Sequence, residues 1–155
     1  MTISKPEKRT IGRIDKADFP ELELKQIDIK IDSGAYTSSI HCDDIEERTI
    51  EGNTCICFKL LDSSHPEYNN KRYTFKNYRK KMVKNSFGVS EERYMITTTI
   101  ELFDEIYSSE FTLSERGEMK YPVLIGRKLL NKKFIIDPGR TNLSYKYKLK
   151  KEKKK

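Results

Sequence analysis

Tryptophan is absent from the 155 residues, which hold five Pro, seven Gly, three Cys and two His, and no internal repeat. No apolar run approaches the ~20 residues of a membrane span, so a membrane-inserted helix is not expected. Met1–Arg9 lacks the apolar stretch of a signal peptide, and export by that route is disfavoured. Cys42, Cys55 and Cys57 form an odd set, better suited to reduced thiols in a cytoplasmic protein than to a disulfide framework. No His-Glu-x-x-His occurs, and the two His are His41 and His65. His41, Cys42, Cys55 and Cys57 could gather around a metal. Cys-x-Cys lacks zinc-knuckle spacing, however, so the cysteines read better as small buried hydrophobes and no metal is expected. There is no Gly-rich phosphate loop, so no nucleotide cofactor is expected and any ATP would belong to a partner.

What is present is charge. Charged residues make up 35% of the chain and hydrophobic residues another 35%, which leaves a modest core under a heavily charged surface. The length fits one domain. The net charge is +7, but residues 146–155 alone supply +6 through seven Lys and one Glu, leaving +1 for the rest. A basic groove along the body is not indicated, so no specific nucleic-acid partner is expected. We divide the chain into a flexible lead (1–9), one domain (10–145) and a Lys-rich tail (146–155) that solubilises a frayed end.

Apolar residues recur mainly with a period of two. Ile27, Ile29 and Ile31 share one face and Asp28 and Lys30 the other, the pattern of a half-buried strand. Strands are also expected at Thr10–Ile14, Tyr36–Ile40, Thr54–Leu61, Lys71–Val83, Arg93–Phe103, Phe111–Leu113, Phe134–Ile136 and Asn142–Tyr147. Asp62–Asn70 reads as a loop around Pro66, and Asn85–Gly88 as a turn. Helix is expected only at Arg127–Asn131. Many short strands between turns imply an all-β fold, a small closed barrel.

One constellation carries chemistry. Ile29-Lys30-Ile31 runs into Asp32-Ser33-Gly34-Ala35, which places an acid at the end of a buried, rigid strand. Asp-Ser-Gly by itself is ordinary turn chemistry. About ninety residues later comes Val123-Leu124-Ile125-Gly126-Arg127-Lys128-Leu129-Leu130. This pairing resembles the pepsin-like and retroviral aspartic proteases, in which the two segments form crossed loops. The ordered motifs Lys30–Ser38, Lys84–Gly88 with Glu92-Arg93, Leu113–Arg116 with Met119, Tyr121–Arg127 and Ile136-Asp137-Pro138 narrow the likeness. The chain resembles the bacterial and archaeal retropepsin-like family long labelled "ATP-dependent zinc protease", whose members are linked with ATP-grasp peptide ligases that add glutamates.

The resemblance implies a retropepsin-like barrel with Asp32 as catalytic aspartate. Ser33, Gly34 and Ala35 would shape its loop, and Leu124, Ile125 and Gly126 would support it. The single Asp-Ser-Gly implies a homodimer, since the reaction needs two carboxylates. Two carboxylates about 3 Å apart share one proton. Tyr36 stands where retroviral enzymes place an acid that pairs with the Arg after the Gly. Arg127 is therefore expected to meet another acid or an acidic substrate. Arg93 and Arg116, with Tyr36, are further candidates for binding substrate, and local ion pairing is their plainer role. Two functions are expected to compete. One is an aspartic endopeptidase acting on peptide or protein substrates, acidic ones included. The other is a non-catalytic peptide-binding module that partners an ATP-grasp ligase.

Overall fold

The strand that ends at Asp32 is the pivot of the architecture. A computed structural model describes residues 7–84, 87–115 and 121–153. It forms strands β1 (Arg9–Ile11), β2 (Ile14–Phe19), β3 (Leu24–Ile31), β4 (Ser38–Ile50), β5 (Asn53–Leu60), β6 (Arg72–Phe75) and β7 (Tyr78–Lys84). These are followed by β8 (Ser90–Leu102), β9 (Glu105–Ser114), β10 (Val123–Ile125), helix α1 (Arg127–Leu130), β11 (Phe134–Ile136) and helix α2 (Leu143–Lys153). On β3, Ile27, Ile29 and Ile31 are buried while Lys30 is exposed. Burial of each Ile stabilises the fold by roughly 1.5–3 kcal/mol.

Strands β10, β3, β2, β8, β9 and β4 are neighbours in that order, and β4 pairs back with β10. The ring closes, as expected for a barrel, and its edges are removed. β5 and β6 extend the sheet beyond β4, β7 hangs on β8, and β1 pairs with β11 as a separate two-stranded sheet. The long strand β4 changes partner along its length: residues 38–41 pair with β9, and from Cys42 onward the strand pairs with β5, with a register shift between Asp43 and Glu46. Phe19, Ile40, Phe58, Ile96, Phe111 and Ile125 meet in one core.

Two hairpins use two-residue loops with both central φ positive, the geometry that matches strand twist. Glu51-Gly52 joins β4 to β5 with φ of 50° and 82°. Phe103-Asp104 joins β8 to β9 with φ of 53° and 62°. Left-handed backbone is unusual for a Phe. Its ring is buried against Phe134, Tyr147 and the Arg9 guanidinium, and its N–H donates to Ser144 Oγ.

Two expectations about local structure are corrected. Asn142–Tyr147 is not a strand, because helix begins at Leu143 and continues to Lys153. Buried Asp15 on β2 accepts N–H bonds from Ser144 and Tyr145, capping that helix from 130 positions away in sequence. Lys148 then pairs with Asp18 and Lys151 with Asp104, fixing residues expected to fray. Second, Lys71–Val83 is two strands. They part at Lys76-Asn77, where the chain leaves β5 for β8. On β5, Cys55, Ile56, Cys57 and Phe58 are all buried, the cysteines as the small hydrophobes expected, so the strand is covered on both faces.

Candidate active site

The site forms where the end of β3 meets β10 and α1. β10 lies parallel to β3, with Ile125 beside Ile31, and antiparallel to the start of β4, with Leu124 beside Ser39. Asp32 N–H donates to the Ile125 carbonyl at 2.9 Å. Gly34 N–H donates to Asp32 Oδ1 at 3.0 Å, and Ala35 N–H to the Asp32 carbonyl at 3.3 Å. The carboxylate is thus fixed by its own turn, with its other oxygen directed away from that bond. Asp32 is half-buried, while Ser33 and Gly34 are exposed.

The return segment crosses the second loop. Arg127 N–H donates to the Ala35 carbonyl at 2.8 Å and Lys128 N–H to the Tyr36 carbonyl at 2.9 Å. Gly126 lies so close to this backbone that a Cβ there would stand 2.7 Å from the Tyr36 carbonyl oxygen. Only glycine permits the approach. Gly126 N–H donates to Ser38 Oγ at 3.0 Å in a buried bond. Ser38 did not stand out in the sequence as a site residue. Its burial at 1% exposure is the decisive feature, and a Ser/Thr-rich strand start gives no sign of it.

Each candidate residue can now be placed. Leu124 lines the cleft, and Ile125 is buried beneath the Asp32 loop. The Tyr36 ring is half-exposed, with the Arg127 guanidinium 5.8 Å and the Lys81 ammonium 5.4 Å from its centroid. Arg127 Nη1 donates to the Ser33 carbonyl at 2.8 Å. Among the described residues its partners are thus a carbonyl and an aromatic face and no acid, the two alternatives expected from the sequence being another acid or an acidic substrate. Arg93 lines the cleft and binds Glu91 through Nε at 2.7 Å. Arg116 lies outside the described residues.

A cleft of about 620 Å³ opens over Asp32, between its loop and β7. Lys81, Met82, Val83 and Lys84 of β7 form its roof, with Arg93 of β8. The hairpin of β7 and β8 thus lies over the cleft as a flap would, and the segment that links its strands contains Asn85–Gly88, the best candidate for a flap in this glycine-poor sequence; Asn85 and Ser86 lie outside the described residues. Lys81 Nζ donates to Thr37 Oγ1 at 2.6 Å, joining β7 to the Asp32 loop. Glu110 accepts from Lys128 of α1 and Arg79 of β7, and these cations hold its carboxyl below the usual range. A larger groove of about 720 Å³ lies along Thr74–Arg79 beside Met95 and Thr97. Its described lining contains no acid, whereas that of the cleft over Asp32 does.

Residues considered for metal binding are engaged elsewhere. His41 is buried, with Nδ1 3.1 Å from the Ser114 carbonyl and Nε2 2.7 Å from Asp62 Oδ2. Hydrogen bonds from Ser64 hold the Asp62 carboxyl below its ordinary range. Burial pushes the Cys42 thiol well up, which makes it a poor nucleophile. Among the described residues, no three His, Cys, Asp or Glu side chains cluster as a metal site.

Comparison with known proteins agrees with this geometry. The family model described as "RimB-like: Retropepsin-like aspartic endopeptidase RimB" matches residues 10–147. A protein of Desulfotalea psychrophila named "Probable alpha-L-glutamate ligase" is 36% identical over 136 residues, covering 85% of this chain and 28% of that protein. A protein of Shewanella pealeana with the same name is 35% identical, covering 83% of this chain and 28% of its own length. The chain thus spans little more than a quarter of these relatives. A solved structure of a Legionella pneumophila protein of unknown function shares the fold, with a TM-score of 0.65 and 23% identity over 89% of this chain and 99% of that one.

Proposed function

The chain belongs to the RimB-like, retropepsin-like aspartic endopeptidase family, and from that premise we propose that it hydrolyses peptide bonds through two Asp32 carboxylates, one from each copy of a homodimer. The observation that carries the reading is the fixation of Asp32. Its N–H is held by Ile125 and its Oδ1 by Gly34, on a loop that Gly126 and Ser38 lock from below. A carboxylate held this rigidly costs little to reorganise when charge moves in the transition state.

One described carboxylate lines the cleft, and the chemistry needs a second. Two-fold symmetry supplies it from the same residue. The ionised Asp32 takes a proton from water as its oxygen attacks the scissile carbonyl carbon. The protonated Asp32 donates its proton to the carbonyl oxygen. Collapse of the resulting gem-diol breaks the C–N bond, returns one hydroxyl proton to a carboxylate and protonates the leaving amine. The two acids titrate as a coupled pair, so neither role belongs to a fixed subunit. Ser33 tying the loops across the two-fold axis, and Gly34 offering backbone to substrate, complete the reading. Arg127, Arg93 and Arg116 would meet acidic groups of the substrate.

Asp32→Asn tests this. The amide is nearly isosteric and cannot act as base, so turnover of a peptide library should vanish with the melting temperature unchanged. Equal rates for both proteins would refute the assignment.

A second reading is favoured by the names of the relatives. A segment like this chain makes up 28% of proteins named for glutamate ligation. On that reading the chain is a peptide-binding module that presents a substrate to an ATP-grasp ligase, and Asp32→Asn would leave its role intact. Both readings fit a cytoplasmic protein. The three cysteines are free thiols, and no described helix is long and apolar enough to cross a membrane.

A further inference from the structure

The β7–β8 hairpin places three cations on one face near the cleft, Arg79 and Lys81 from β7 and Arg93 from β8. In the register of β7 with β8, Arg79 stands opposite Met95 and Lys81 opposite Arg93. Alternate residues share a face, so Arg79, Lys81 and Arg93 lie on the same side. Arg79 is neutralised by Glu110 and Arg93 by Glu91. Lys81 differs. Among the described residues its partners are neutral, namely the Thr37 hydroxyl and the Tyr36 ring. Like charges directly opposite in a sheet are destabilising. Here one such pair is kept in the lining of the cleft that holds Asp32.

We propose that Lys81 determines specificity by exchanging its Thr37 bond for a carboxylate of the bound peptide. The inference rests on the cleft being a peptide site, whether hydrolytic or not, and names the residue that selects for acidic sequence. Several features fit this role. The Lys81 side chain is only half-buried, so its ammonium reaches substrate with part of its hydration already removed. A hydroxyl is a weaker partner than a carboxylate for an ammonium, so the exchange favours an anionic peptide. A neutral peptide gains nothing from it. The Tyr36 ring has the Lys81 ammonium 5.4 Å and the Arg127 guanidinium 5.8 Å from its centroid. A carboxylate entering beside that ring meets Lys81 from the β7 side.

The experiment separates this from the hydrolytic reading by measuring binding in the Asp32→Asn protein, where turnover plays no part. Two fluorescent peptides are matched except that one carries Glu where the other carries Gln. The expected result is about a tenfold preference for the Glu peptide. Lys81→Gln should bring that ratio close to one, and Lys81→Arg should keep most of it. Thr37→Val, which removes the competing hydroxyl, should raise Glu-peptide affinity and leave the Gln peptide unchanged. No preference in the starting protein, or failure of both peptides to bind, overturns the proposal. So does an equal loss of both peptides on Lys81→Gln, which would make Lys81 a flap latch only. If the ratios behave as expected but active protein cleaves neither peptide, the proposal stands and the hydrolytic reading fails.

Discussion

Replacing Gly126 by Ala tests the crossed loops more directly than any change at Asp32. The added Cβ would stand 2.7 Å from the Tyr36 carbonyl oxygen and 2.8 Å from the Thr37 carbonyl carbon. Ordinary contact begins near 3.4 Å, so the two backbones must part by about 0.7 Å. No side chain can rotate to relieve a contact between main chains. Overpacking of this kind costs about 1–3 kcal/mol. The movement also stretches the bonds from Gly126 N–H to Ser38 and from Arg127 N–H to Ala35, each worth about 1 kcal/mol. The total is about 2–4 kcal/mol, which for a chain of this size lowers the melting temperature by roughly 5–15 °C. If the peptidase reading holds, activity should fall further than stability, because a 1 Å displacement of a catalytic group costs about a hundredfold. Gly52→Ala is the matched control. Nothing lies within 4 Å of its Cβ, but its φ is +82°. Its cost is the backbone penalty alone, about 1–2 kcal/mol, with no effect on the cleft. Calorimetry of both variants decides the matter. A Gly126→Ala protein melting within about 2 °C of the parent would show that the loops do not meet as described.

Two further predictions follow from buried and paired carboxylates. Asp15→Ala leaves the N–H groups of Ser144 and Tyr145 without their cap and should cost about 1–3 kcal/mol, with faster amide exchange at both residues; unchanged exchange would mean that α2 is held by its lysines alone. Glu110 has a lowered pKa in the fold because Lys128 and Arg79 bind its ionised form, so its contribution is present above the ordinary Glu value and lost as pH falls through the lowered one. Glu110→Gln should therefore melt below the parent at pH 7, with the gap closing in acid; a gap independent of pH between 7 and 3 would refute the charge argument.

The β3 strand was legible because its signal is local. Ile27, Ile29 and Ile31 alternate with polar residues, and burial of one face needs nothing else. The helix α2 was not legible for a reason visible in its residues. Leu143, Tyr145, Tyr147 and Leu149 alternate with Ser and Lys as a strand would. Leu143 and Tyr147, which pack on the core, are also an i,i+4 pair on a helix. Both periods fit, and the choice falls to Asp15, which caps the helix from β2. Of the flap, only the Asn85–Gly88 segment stood out in the sequence. Its strands carry charge instead of glycine, and only the departure of the chain at Lys76-Asn77 from β5 to β8 makes them a hairpin over Asp32.

The sequence by itself determined that this is a β-rich domain, and that an acid at a strand end is paired with a hydrophobic-hydrophobic-Gly segment some ninety residues on. Those are properties of spacing and alternation, carried by neighbours along the chain. Tertiary structure alone decided which groups meet at that acid. It put Ser38 under Gly126, turned Arg127 to the Ser33 carbonyl and Tyr36, and brought Lys81 to Thr37 across 44 positions. Such contacts depend on the closure of the strand ring, which sets distances between segments that no local pattern encodes.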